Sequence, residues 1–234
     1  MGADLSMCRH APHHILGMPA LHGCDRSAVD NVFAMEGIAG YFTALGLSTA
    51  AGLNAYIPIL SVGLLSRYTD LIDLPAPWDA LADPIVLGIV GVVGIADFIG
   101  DKVPVVDHVL HAIGLAVAPV VGGLLALASA SAFDLDPGVA AGLGISAALV
   151  THAGRAAARP LSTAATGGGG NPVVSFAEDG ISGVLSVTAV FWPVVTAVLA
   201  VIVLVAVFLV WRKWRQLRLR FRARDRAGRV SGGP

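Results

Sequence analysis

The chain has 234 residues, 56% of them hydrophobic and 13% charged, with a mean hydropathy of +0.77. Soluble domains carry roughly 25% charged residues, so this composition excludes an ordinary soluble protein and points to an all-α, polytopic transmembrane helical bundle. The net charge of −1 conceals an asymmetry: nine of the fifteen Lys and Arg residues lie in the last 23 positions.

Residues 1–34 read as a disordered leader. They hold both cysteines, Cys8 and Cys24, and four of the seven histidines, but no apolar periodicity. No apolar run of about 7–15 residues marks a cleaved signal peptide. Met35 opens "MEGIAGYFTALGLSTAAGLN" and would serve as a start. The Cys/His spacings match no standard zinc pattern, so no metal is expected.

The transmembrane domain then runs over residues 35–211. A bilayer-crossing helix needs about 20 apolar residues. Gly37–Leu65 is the first candidate, long enough to tilt or to break near Asn54 and Pro58. Pro84–Ile99 is the second, short and ending near Asp97. Val105–Ala130 is the third, interrupted by Pro119, and Gly138–Ala158 is the fourth. The fourth carries a Gly138-x-x-x-Gly142 face suited to close helix packing. The stretch from Pro172 to Trp211 spans 40 residues, about twice one crossing, with Pro193 near its middle.

Charge bias decides between six spans and five. The loop "SRYTDLIDLPAPWDALADP" holds Asp70, Asp73, Asp79 and Asp83 against Arg67, and "AFDLDPG" holds no basic residue. Six spans with both termini cytoplasmic place these loops outside, and Lys102, Arg155, Arg159 and the basic tail inside. A five-span alternative puts Lys102, Arg155 and Arg159 on the wrong side. Residues 212–234 form the basic cytoplasmic tail. Trp211 and Trp214 mark the interface, and Arg212, Lys213 and Arg215 anchor the tail on anionic lipid. Membrane lipids are therefore expected partners, and nucleic acid is not.

Short similarities between the halves, such as "GLSTAAGLNAYIP" against "GISAALVTHAGRAAARP", suggest two inverted three-helix repeats. Inverted repeats with interrupted helices are a recurring transporter plan. Their polar residues converge at one depth: Asp97 and Asp101, then Asp107, His108 and His111, then Arg155 and Arg159, then Glu178 and Asp179. Ionisable groups in a bilayer cost about 2.5–3.5 kcal/mol each on insertion scales and normally have a partner or a role. Arg159, Lys102 and Asp101 fit interfacial charges that snorkel to headgroups. Asp97, Asp107 and Glu178 fit a polar cavity better. His152 fits a hydrogen-bonded packing residue.

The run "TGGGGNP" explains itself as a re-entrant loop. Non-helical backbone survives at membrane depth only where protein or a water-filled cavity satisfies it. Gly167, Gly168, Gly169 and Gly170 permit close approach, and Pro172 suits a first helical turn. Asn171 then faces the cavity, with Asn54 either opposite it or occupied by the carbonyl that Pro58 frees. An ordinary cytoplasmic loop of about ten residues is the alternative.

Three segments in order, "GLSTAAGLNAYIPILSVGLL", "ADFIGDKVPVVDHV" and "RPLSTAATGGGGNPVVSFAED", resemble the bacterial membrane family catalogued as domain of unknown function 4126. The resemblance covers Met35 to Trp211. It implies a compact bundle in a bacterial inner membrane and carries no activity, substrate or cofactor with it.

The function expected from these residues is a small transporter or channel-like protein for an ion or small polar solute. Asp97, Asp107 and Glu178 would handle protons or cations. The rival is a non-catalytic membrane organiser that binds lipids or partner proteins. An enzyme is not expected: no Ser-His-Asp spacing, metal motif or nucleotide loop appears, and "TGGGGN" lacks the Lys-Ser/Thr of a phosphate-binding loop.

Overall fold

The computed structural model describes residues 26–100, 104–167 and 169–231. Cys8 and Cys24 lie outside them. Among the described residues seven α-helices follow one another: α1 (Arg26–Leu53), α2 (Tyr56–Tyr68), α3 (Pro84–Gly100), α4 (Pro104–Phe133), α5 (Pro137–Thr166), α6 (Asn171–Phe191) and α7 (Pro193–Ser231). A 3-10 turn, Trp78–Ala82, precedes α3. No strand occurs among the described residues, as expected for an all-helical bundle.

Local chemistry sets the helix starts. Proline opens α3, α4, α5 and α7, and stands second in α6, where its missing N–H is no loss. Asp83 Oδ1 accepts from the Ile85 amide at 2.7 Å, and Asp136 Oδ1 accepts from the Val139 amide at 2.7 Å. Both carboxylates satisfy amides that a helix start leaves open.

Among the described residues four helices contain apolar stretches long enough to cross a bilayer: Ala112–Phe133, Pro137–Pro160, Asn171–Phe191 and Pro193–Gln216. The shorter apolar α3 has 17 residues, the lower limit for a crossing. The protein is therefore a multi-pass membrane protein.

The expected first span, Gly37–Leu65, is not one crossing. The chain breaks after Leu53 and turns back, so that α1 and α2 form a hairpin. Leu47 and Ala51 of α1 share one buried cluster with Ile59 and Val62 of α2, and Leu71, Ile72 and Leu74, beyond the end of α2, line a cavity together with Thr43 of α1. A helix that continued through the break would separate Leu47 from Val62 by about 22 Å. Helix α3 then runs antiparallel to α2, with Leu87 beside Gly63 and Tyr56 beside Gly94. Among the described residues, four helices of spanning length, the shorter α3 and one hairpin thus stand where six spans, or alternatively five, are expected.

The bundle has two chemically distinct ends. One carries the loops between α2 and α3 and between α4 and α5, with six aspartates and no Lys or Arg; Gly37 and Gly40 of α1 approach Leu135 there. At the other, arginine end lie Arg155 and Arg159, the α5–α6 turn and the basic part of α7. Helix α1 therefore begins at the acidic end and α7 finishes at the arginine end. The inverted-repeat expectation fails. Helix α1 reverses at Asn54, whereas α5 continues through Pro160 to Thr166.

Small residues bring the central helices together, but not those of the expected Gly138/Gly142 face. A Cβ on Gly142 would meet nothing within 4 Å. On Gly122 it would lie 2.5 Å from Ala148 Cβ, and on Gly144 2.5 Å from the Gly122 carbonyl. On Gly52 it would lie 2.5 Å from the Ala148 carbonyl. Helices α1, α4 and α5 thus pack backbone against backbone, the mode that small residues allow in lipid. Ser48 strengthens the contact by donating to the Gly122 carbonyl at 2.8 Å.

Candidate functional site

The hairpin tip lies near the middle of the bundle, level with Thr151 of α5 and Ser182 of α6. A break there exposes the last carbonyls of α1 and the first amides of α2, which lipid cannot satisfy. Asn54 in the break itself and side chains from α5 and α6 do so instead. Asn54 Oδ1 accepts from the Tyr56 amide at 3.0 Å, while Asn54 Nδ2 donates to Asp179 Oδ1 at 2.9 Å. Arg155 Nη1 donates to the Leu53 carbonyl at 2.8 Å. Ser182 Oγ lies 3.0 Å from the Ala50 carbonyl and 3.3 Å from that of Asn54.

Glu178 closes the arrangement. Its Oε2 accepts from Arg155 Nε at 2.9 Å and from Arg159 Nη2 at 3.4 Å. Asn54, Arg155, Arg159 and Glu178 are each less than 9% exposed. One carboxylate therefore sits between two guanidinium groups in a buried environment, where a charge-assisted bond is strong and an unpaired charge costly. The half-buried Asp179 is the second acid of the cluster, and its Oδ2 is buried without a hydrogen-bond partner among the described residues.

A cavity of about 30 Å³ borders this cluster, with Tyr56, Asp97, His152 and Arg155 in its lining. That is room for a water or two, and the lining offers polar partners. The His152 ring fills the space above Gly114, where a Cβ would fall 2.5 Å from Cε1. A second cavity, of about 260 Å³, opens between the hairpin arms toward the acidic end. Leu125 lines the larger cavity and Ala118 the smaller, so about 10 Å of packed helix separates them along α4.

The structure thus brings together Asn54, Asp97, Arg155, Glu178 and Asp179. Asn54 faces Asp179, not Asn171, and caps α2 instead of answering a carbonyl freed by Pro58. Arg159 is buried against Glu178 and does not snorkel, because α5 extends a full turn and more beyond it. Asn171 stands apart; its Nδ2 donates to Thr163 Oγ1 at 3.0 Å beside the α5–α6 turn. Asp101 and Gly168 lie outside the described residues, as does Lys102. The Asp107, His108 and His111 positions are on α4, but their side chains are also outside that set.

The re-entrant loop is corrected too. With α5 helical to Thr166 and α6 starting at Asn171, four residues remain, too few to dip into the bundle and return. Gly167 ends α5 at φ 62°, a left-handed position that glycine fills without strain. Gly169 is exposed and Gly170 half-buried. The irregular backbone at membrane depth is at Asn54 instead. Trp211, Arg212, Lys213, Trp214 and Arg215 continue α7 as helix, with the Arg215 guanidinium 5.5 Å from the Trp211 ring.

Sequence reasoning missed Ser182 as a partner of the break. A signal existed: Ser175, Glu178, Ser182 and Ser186 recur at helical spacing along α6 and are all buried. A polar stripe on an apolar helix marks a face turned to protein. Among the described residues no group of three or more His, Cys, Asp or Glu could hold a metal ion.

A family model described as "Domain of unknown function (DUF4126)" matches residues 41–213. No curated protein and no solved structure matches the chain.

Proposed function

The chain belongs to the DUF4126 family, whose description names no activity, and from the geometry we propose that it is a small transporter or channel-like protein for an ion or small polar solute. The observation that carries this reading is the helix break at Asn54, near the middle of the bundle and held by the buried Arg155–Glu178 pair. Discontinuous helices at the midplane are where transporters place their sites. Cavities on both sides of the break, about 260 and 30 Å³, supply two halves of a path.

In this reading the hairpin tip is the barrier. Opening requires Arg155 to release the Leu53 carbonyl or Glu178, which joins the two cavities past Ala51. Glu178 acts as the counter-charge that holds the tip closed, not as an isolated cation ligand, since two arginines already neutralise it. Asp97, lining the smaller cavity, receives the ion or proton at the arginine end. Positive-inside bias places that end in the cytoplasm and the acidic loops outside, in the plasma membrane.

Purified protein in proteoliposomes tests the proposal, with interior dyes for protons and for potassium and a panel of radiolabelled small solutes. Wild type is expected to show flux above empty vesicles, and Glu178→Gln to alter it at least tenfold. Absence of flux for every probe in wild type, or unchanged flux in both Glu178→Gln and Asp97→Asn, refutes the reading.

One observation favours the organiser as a second reading. Only 11% of the apolar window of α7 is buried within the bundle, against 33–39% for α4 to α6. Such a face is free to pack on another membrane helix. Stoichiometric co-purification that survives Glu178→Gln and is lost on α7 substitutions would support it.

A further inference from the structure

We propose that the cavity between the hairpin arms is a binding site for a small organic cation, an aryl- or alkylammonium that enters from the acidic end. The inference goes beyond the transport reading and does not depend on it.

The polar groups of the cavity set the charge preference. Thr43 Oγ1 donates to the Ala189 carbonyl at 3.0 Å, and Ser129 Oγ donates to the Leu125 carbonyl at 2.9 Å. Both hydroxyls are buried and have spent their protons, so they offer a ligand only lone pairs. Asp73, exposed at the mouth, is the charged residue of the lining, which contains no Lys, Arg or His. The site therefore accepts hydrogen bonds and does not donate them from these side chains. Among these side chains an anion would find no donor, whereas an ammonium would find three acceptors.

The walls set the rest of the ligand. Leu47, Val62, Leu74 and Leu125 are buried and apolar, and Phe133 adds an aromatic ring. A hydrated metal ion gains nothing from such walls, whereas a hydrocarbon group loses water by entering. The Phe133 ring also offers its face to a cation within reach. The volume of about 260 Å³ is near the lower end of small-molecule pockets, roughly 300–1,000 Å³.

The approach to the cavity has the same sign. The two adjoining loops carry Asp70, Asp73, Asp79, Asp83, Asp134 and Asp136 without a Lys or Arg. The nearby Arg67 is turned to the Ala82 carbonyl, to which its Nη1 donates at 3.2 Å. A surface of one sign raises the local concentration of opposite charge.

The test uses the full chain in nanodiscs, titrated with phenylethylammonium and followed by calorimetry against empty nanodiscs. Phenylethanol serves as the neutral control and phenylpropionate as the anion. Saturable binding of the cation is expected, at least tenfold tighter than either control. Asp73→Asn, at an exposed position, should weaken it at least fivefold, and Asp73→Glu should restore most of it. No saturable binding overturns the proposal, as does equal binding of phenylethanol or an Asp73→Asn variant that binds like wild type. Glu178→Gln separates the two readings, because it is expected to alter flux at least tenfold while keeping phenylethylammonium binding. Binding without wild-type flux refutes transport alone, and flux without binding refutes the cation site alone.

Discussion

Arg155 is the residue on which the centre of the molecule depends. It reaches from α5 to the carbonyl that ends α1 and to Glu178 on α6, so one side chain ties three helices. Removing one partner of a buried ion pair leaves the other charge unpaired, at a cost of about 3–5 kcal/mol. Arg155→Leu and Glu178→Leu should each lower stability by about that amount, read by denaturant titration in mild detergent. The double variant should lose less than the sum of the two, and strict additivity would mean that the pair is not coupled. Asn54, Asp97, Arg155 and Glu178 are legible without coordinates, because polar groups in apolar segments are conspicuous. Arg159 was not: nearness to an apolar segment's end says nothing about how far the helix continues beyond it.

At the scale of the element, the α1–α2 hairpin depends on caps and the α1–α4–α5 core on the absence of side chains. Asn54→Ala removes the acceptor for the first α2 amides and the bond to Asp179. Loss of a helix cap costs about 1 kcal/mol, so a lower thermal midpoint is expected. Gly144→Leu should be far worse, since even a Cβ would meet the Gly122 carbonyl at 2.5 Å. Gly183→Ala is the control: a Cβ there meets nothing within 4 Å, and the exchange should stabilise α6 by up to about 1 kcal/mol. A fluorescence melt of the three variants checks the order. The sequence motif Gly138-x-x-x-Gly142 did not select the packed face, because spacing shows which glycines share a face but not which way that face points.

For the whole molecule, the hairpin decides how many times the chain crosses. Cysteine labelling of intact cells, in a background with Cys8→Ser and Cys24→Ser, tests the arrangement. Glu36→Cys and Asp136→Cys should react with an impermeant reagent from one side, and Arg215→Cys from the other. Labelling of Glu36→Cys and Arg215→Cys from the same side would restore an even number of crossings. With five crossings, Arg155, Arg159 and the basic part of α7 share an end without either the wrong-side charges of the five-span alternative or a sixth span.

Composition alone made this an all-helical membrane protein, because the bilayer dictates how long an apolar stretch must be and forbids unsatisfied backbone. It also marked Asn54 as a place where a helix could break, and it set acidic and basic segments apart. Only tertiary structure decided the direction taken after the break. The local sequence around Asn54 and Pro58 permits a tilt or a reversal. The choice is made by Arg155, Asp179 and Ser182, which lie more than 100 positions away along the chain and satisfy the broken helix end only when the chain turns back.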